Sequence, residues 1–222
     1  MAIKAILFDI DGTLIDSNDL HVSAWEEAFA EFGETIDRQT IHGQIGKGAD
    51  MLIPTLLPEA DAAERAAIAD AHGRIFKTKY LAHAQPFPNA RNLMAHAQKA
   101  GQTIVLASSA SAEELDHYVD LLGARELVTA TTSSDDVEHT KPAPDIFATA
   151  LGKLPGIGRD EVIVIGDTPY DIEAALKSQI ATVAVRSGGF PDQALREAGA
   201  IRIYSDVSSL LDEYAASPLA ER

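Results

Sequence analysis

The chain has 222 residues, enough for one large domain or for a domain with a modest insert, and its 46% hydrophobic and 23% charged content is that of an ordinary globular protein. With 34 acidic against 18 basic residues its formal charge is −16, which argues against nucleic acid and anionic membrane as partners, because both are bound through Lys/Arg patches. There is no cysteine, so disulfides, thiolate zinc sites and thiol catalysis are excluded.

In chain order, the first apolar run is residues 5–8, which reads as a strand and is too short for a signal peptide before Asp9 and Asp11 interrupt it. No stretch approaches the roughly 20 apolar residues needed to span a bilayer, so a cytoplasmic protein is expected. Residues 17–84 show several helix patterns and no convincing strand. Ala24, Ala28 and Phe32 share one helix face with Trp25 and Phe29 beside them, and an Ala-rich stretch covers about 59–81. Pro86 and Pro88 then mark a return to a different rhythm. Apolar strand-like runs follow at 103–106, 127–130, 162–165, 181–185 and 201–204. Helical patterns lie between and around them, at about 89–100, 112–122, 143–151, 170–178, 191–198 and 206–216.

Short continuous apolar strands alternating with helices predict an α/β fold, a doubly wound parallel sheet covered on both faces. The expected division is an α/β core made of 1–16 and 85–222, with an α-helical insert over 17–84. An insert placed straight after the first strand sits over the crevice at the C-terminal strand ends, where such folds bind ligands. It reads as a cap. No internal repeat or low-complexity tract is present.

Four strand ends carry polar groups of one kind: Asp9-Ile-Asp11-Gly12-Thr13, then Ser108-Ser109, then Lys141-Pro142, then Gly166-Asp167-Thr168-Pro169-Tyr170-Asp171. Parallel strands bring these ends to one edge. Four carboxylates gathered there (Asp9, Asp11, Asp167 and Asp171) repel one another unless a cation sits among them, and hard oxygen ligands favour Mg²⁺. A carboxylate beside such an ion can attack phosphorus and become an aspartyl phosphate. A lysine offsets charge on the phosphoryl oxygens, a second carboxyl two residues on handles protons, and Ser108 offers a hydroxyl donor. Each piece has a plainer reading: Asp-x-Asp-Gly as a turn, the serines as loop, Lys141 as a solvated charge, and Asp167 as an N-cap with Pro169 in the first helical turn. A calcium loop is excluded, since Leu14 and Leu20 stand where it needs Gly and Glu. Gly43-Gln-Ile-Gly46-Lys47-Gly48 is no Walker loop, with Ile41 and Gly48 where Gly and Ser/Thr are required. Four elements in this order after four buried strands favour the joint reading.

In that joint pattern the chain resembles the haloacid dehalogenase superfamily, in the branch of phosphoglycolate phosphatases and β-phosphoglucomutases. The resemblance covers most of the core and implies Asp9 as nucleophile and Asp11 as general acid/base. It implies Asp9, Asp167 and the main-chain carbonyl of Asp11 as Mg²⁺ ligands with Asp171 in support, and Ser108, Ser109 and Lys141 as the phosphate grip. The dehalogenases lack an acid at the position of Asp11 and need no metal. The family's helical cap matches 17–84. Within it, His21 and Trp25 fall one turn apart and match a β-phosphoglucomutase pattern, whereas Thr13 is what the phosphatases show. The loop from Gly46 to Asp50 resembles a specificity loop, with Lys47 as a candidate substrate contact and Lys77 and Lys79 as weaker ones. The expected partner is a small phosphorylated metabolite, on a monomer or homodimer. The expected activity is hydrolysis of its phosphomonoester; the alternatives are a sugar phosphomutase and a non-catalytic phospho-accepting regulatory domain.

Overall fold

The computed structural model describes residues 2–220. Its principal sheet is built from β1 (Ala5–Phe8), β4 (Thr103–Ala107), β5 (Val128–Thr132), β6 (Val162–Gly166), β7 (Ala181–Val185) and β8 (Arg202–Tyr204). The strand order is β5-β4-β1-β6-β7-β8, every neighbouring pair being parallel. Two strands too short to stand out in the sequence, β2 (Ile15–Asp16) and β3 (Gln85–Pro86), pair antiparallel at the two ends of the helical segment.

Strand alternation sorts the apolar runs to two faces. Ile6, Phe8, Ile104, Leu106, Ile163 and Ile165 join the larger core under α5 (Ala90–Lys99), α6 (Ala112–Leu121) and α10 (Val207–Asp212). Ala5, Leu7, Val105, Ala107, Val162 and Val164 face the opposite core, against α7 (Asp145–Gly152) and α8 (Pro169–Lys177). A small third cluster seats α9 (Asp192–Ala198) through Leu195. Covering both faces is why these strands read as unbroken apolar runs. The chain winds outward from β1 in both directions, so β1 is the topological switch point and its C-terminal end opens on a crevice.

Between β2 and β3 the chain forms a helical block of α1 (Asn18–Glu31), α2 (Arg38–His42), α3 (Ala49–Leu56) and α4 (Ala62–Ile75), which runs on through a π turn over Phe76–Tyr80. The block has its own core, centred on Val22, Trp25, Phe29, Ile68 and Phe76. Ala24 and Ala28 are fully buried, as their shared face predicts, but Phe32 is 37% exposed. Phe32 lies at the C-cap of α1, where the helix ends and the stripe leaves the core.

Candidate active site

Thr13 ties the first and fourth strand ends together. Its hydroxyl lies 2.8 Å from Asp167 Oδ1 and 3.2 Å from Asp9 Oδ2. Asn18 Nδ2, from the start of α1, donates to Asp167 Oδ2 at 3.0 Å. Lys141, 1% exposed, arrives from the loop after β5 and donates to Asp9 Oδ1 and to the Ala107 carbonyl at 3.1 Å. Its ammonium also lies 2.7 Å from Asp171 Oδ1. The other carboxylate oxygen, Asp171 Oδ2, accepts from the Thr168 amide at 3.0 Å and the Thr168 hydroxyl at 2.7 Å. Thr168, not Asp167, is therefore the N-cap of α8, with Pro169 at the first helical position and Asp171 closing a capping box. That releases the Asp167 side chain from capping and leaves it facing Asp9.

The electrostatics follow from this crowding. Burial, then the negative charge of Asp171, pushes the Asp9 carboxyl up to about 7, with Lys141 pulling the other way. Burial and the charges of Asp9 and Asp171 likewise hold Asp167 well above the usual carboxylate range. Burial alone would lower Lys141, but Asp171 and Asp9 hold it above its ordinary value. One ammonium faces three buried carboxylates, a deficit of positive charge. Ligand atoms of Asp9, Asp167 and Asp171 lie within 4.8 Å of one another. Asp171 Oδ1, although close to Lys141, has no well-aligned hydrogen bond, and neither has the buried Asn18 Oδ1. An all-oxygen donor set with surplus negative charge fits a hard divalent cation.

Asp11 points the other way, into the open cavity. Ser17 donates to its Oδ1 at 2.6 Å, His21 Nε2 lies 3.1 Å from the same atom, and Ser108 Oγ lies 3.4 Å from Oδ2. Burial would raise Asp11, but the charge of His21 and the bonds from His21 and Ser17 outweigh it and leave the carboxyl low. By the same pairing, burial would lower His21 and Asp11 raises it.

Asp9, Asp11, His21, Trp25, Ser108 and Ser109 border one cavity of about 400 Å³ between the strand ends and the helical block. Lys141, Asp167 and Asp171 are buried and reach it through Asp9. The Ser109 hydroxyl donates to the Gly46 carbonyl of the block at 3.2 Å, so it is aimed away from Asp9. Lys47 borders the cavity, yet its ammonium donates to Gln44 Oε1 at 2.6 Å and Thr55 Oγ1 at 3.3 Å and sits 4.6 Å over the Tyr170 ring. Lys77 also lines the cavity, whereas Lys79 is paired with Glu27 on the surface.

Sequence reasoning missed His72. It comes from α4, stacks on Trp25 with ring centroids 3.8 Å apart, and brings Nε2 to 3.5 Å from His21 Nδ1. Phe76 stacks on the far side of His21, also at 3.8 Å. The spacing of His72 and Phe76, one helical turn apart, was the only signal available in the sequence.

The helical block is docked on the core by a glycine loop. The Gly48 amide donates to Thr140 Oγ1 at 2.9 Å, and the Thr140 amide to Asp50 Oδ2 at 3.0 Å. His42 Nε2 lies 3.0 Å from the Gly188 carbonyl. A Cβ on Gly46 would fall 2.7 Å from Thr168 Cγ2, and one on Gly48 2.5 Å from Thr140 Cγ2. These glycines exist for close approach to the core.

The family model of the haloacid dehalogenase-like hydrolases matches residues 6–185. The chain belongs to the haloacid dehalogenase-like hydrolases. As a hydrolase of this family, in the branch of phosphoglycolate phosphatases and β-phosphoglucomutases, it is an enzyme, so the non-catalytic regulatory reading falls. It is similar to the phosphoglycolate phosphatase of Rhodospirillum rubrum, with 26% identity over 219 residues, 94% of this chain and 90% of that protein. Protein SUPPRESSOR OF QUENCHING 1 of Arabidopsis thaliana is 28% identical over 216 residues; the match takes in 94% of this chain but 20% of that much longer protein. Among solved structures, a hydrolase from Pseudomonas syringae superposes with a TM-score of 0.91 at 28% identity, covering 98% of this chain and all of that one (100%). No described helix of this family member is long and apolar enough to cross a membrane.

Proposed function

We propose that this hydrolase is a Mg²⁺-dependent phosphatase that cleaves a small phosphomonoester through an aspartyl phosphate on Asp9, with residues 17–84 acting as a cap on a core of 1–16 and 85–222. One observation carries the reading: Asp9 is a buried carboxylate held between the Lys141 ammonium and the Thr13–Asp167 pair, at the wall of a cavity. Asp9, Asp167 and the main-chain carbonyl of Asp11 would hold the Mg²⁺, with Asp171 in support through Lys141 and the α8 cap. Such an ion, when bound, offsets the charge of the carboxylates and of the phosphoryl oxygens.

The residues divide the work as follows. An Asp9 oxygen forms a bond to phosphorus as the bond to the leaving oxygen breaks, and Asp11 gives that oxygen a proton. Water then attacks phosphorus, Asp11 takes its proton, and the Asp9–phosphorus bond breaks to release phosphate. His21, 3.1 Å from Asp11, keeps that carboxyl oriented and shares its proton. Lys141 restrains Asp9 and stabilises charge on the phosphoryl oxygens, and the Ser108 hydroxyl is within reach of the same group.

The test is cleavage of p-nitrophenyl phosphate with Mg²⁺. Asp9→Asn keeps the shape and loses the nucleophile, so turnover should vanish while circular dichroism is unchanged. Turnover surviving in that variant would overturn the assignment of Asp9.

A further inference from the structure

Beyond the catalytic edge, the wall of the cavity has a consistent hydrogen-bonding character. Its hydroxyls spend their own protons inside the protein. Ser109 donates to the Gly46 carbonyl at 3.2 Å, Ser111 to Glu114 Oε2 at 3.0 Å, Ser134 to the Ala110 carbonyl at 3.1 Å, and Thr140 to Asp50 Oδ1 at 2.5 Å. What these oxygens have left to offer is lone pairs. Glu114, Glu138 and Asp50 add carboxylates, so among the polar side chains of the wall acceptors outnumber donors, the Trp25 indole N–H being one donor that remains.

The two lysines of the wall do not reverse this. The Lys47 ammonium is committed to Gln44, Thr55 and the face of Tyr170. Lys77 is paired with Glu113 at 2.5 Å, and Glu114 and Asp135 add further negative charge around it. His21 is taken by Asp11. A ligand group with a second negative charge would meet more carboxylates than lysines on this wall, with both lysine head groups already held by protein partners, so its lost hydration would be poorly compensated.

Resting on the phosphatase reading, we propose that the alcohol released from this site is donor-rich and carries no anion: a polyhydroxyl group, as in a sugar or polyol monophosphate, and not a carboxylate or a second phosphate. The phosphoryl group sits at Asp9, the bond from phosphorus to the ester oxygen breaks, and the polyol leaves with the proton from Asp11. Its remaining hydroxyls donate to the lone pairs of Ser109, Ser111, Ser134 and Glu138. The same wall counts against phosphomutase chemistry, because a sugar bisphosphate must seat its second phosphate where the released alcohol lies.

The experiment compares kcat/KM within pairs of matched size: glucose 6-phosphate against 6-phosphogluconate, glycerol 3-phosphate against 3-phosphoglycerate, and fructose 6-phosphate against fructose 1,6-bisphosphate, with p-nitrophenyl phosphate as reference. The member without the second anionic group should win each pair by about tenfold or more. In Glu138→Lys the ratio, taken within the variant so that any general loss cancels, should shrink severalfold. Anionic members cleaved as fast as their partners, with p-nitrophenyl phosphate still turned over, would overturn this inference and leave the phosphatase standing. An unchanged ratio in Glu138→Lys would overturn its electrostatic origin. No turnover of p-nitrophenyl phosphate would remove both.

Discussion

Replacing Gly48 by alanine tests whether docking of the helical block is needed for turnover. The backbone there has φ −76° and ψ 171°, an extended conformation that alanine adopts without strain. The perturbation is therefore the added methyl alone. It would lie 2.5 Å from both Thr140 Cγ2 and Thr140 Oγ1 and 2.8 Å from Thr140 Cβ, where an unstrained contact needs about 3.5–4.0 Å. Thr140 has little room to retreat, because it is 6% exposed and its amide is held by Asp50 Oδ2 at 3.0 Å. The glycine loop must lift instead. Overpacking of this kind costs about 1–3 kcal/mol. Placed on docking and not on folding, that cost lowers the docking equilibrium constant by about 5- to 150-fold, and kcat/KM for p-nitrophenyl phosphate should fall by up to the same factor. Thermal unfolding should barely change. Adding Thr140→Ala removes the two nearest clashing atoms, Cγ2 and Oγ1, and leaves only Cβ at 2.8 Å, so the penalty of Gly48→Ala should shrink by about 1 kcal/mol in that background. Activity of Gly48→Ala within twofold of wild type, or an equal loss in both backgrounds, would refute the reasoning.

Lys141→Met removes the one ammonium facing Asp9 and Asp171, both buried; unpaired buried charge costs about 3–5 kcal/mol, so the melting temperature should drop by about 6–20 °C, and an unchanged value would show that the pair is not structural. Chelation with EDTA should abolish turnover, and Mg²⁺ at a hundred times its Kd should both restore it and stabilise the fold by about 2.7 kcal/mol; full activity after chelation would remove the metal from the scheme. Burial, then the charge on His21, holds His72 well below its ordinary value of 6.5. Below about pH 6.5 the unfolded chain therefore binds a proton that the native one does not, and stability falls as pH drops toward the native value. His72→Gln should flatten that fall by up to about 1.4 kcal/mol per pH unit; parallel stability–pH curves for the two proteins would count against it.

The core strands were legible because burial on both faces leaves continuous apolar runs, and the candidate site was legible because parallel strands deliver their C-terminal ends to one edge. Asp9, Asp167 and Lys141 converge for that topological reason, although 132 positions separate Asp9 from Lys141 and 154 separate Thr13 from Asp167. What could not be read was whatever depends on two helices meeting. His72 is one histidine in an Ala-rich helix, and nothing local marks it as the partner of a residue 51 positions away. The motif around Gly46 and Gly48 was visible, but its reason is a threonine 92 positions downstream of Gly48. Lys47, a candidate substrate contact in sequence, does border the cavity, and its partners Gln44, Thr55 and Tyr170 could be seen only in space. Phe32 failed for an ordinary reason, since a periodic stripe does not announce the residue at which its helix stops.

The two parts of the molecule carry two separate kinds of information. The core presents fixed charges, Asp9, Asp167, Asp171 and Lys141, and on the proposed reading these recognise a phosphoryl group and its cation, whatever alcohol is attached. The helical block contributes no carboxylate to that cluster. It brings His21 against Asp11, His72 against His21, and the glycine loop against Thr140, and so bounds the cavity from the other side. With a net charge of −16 the protein cannot draw a phosphate ester in from a distance. On the proposed reading, discrimination must then be made at contact range, after the block has docked, and the close approach that Gly46 and Gly48 permit is part of what makes it.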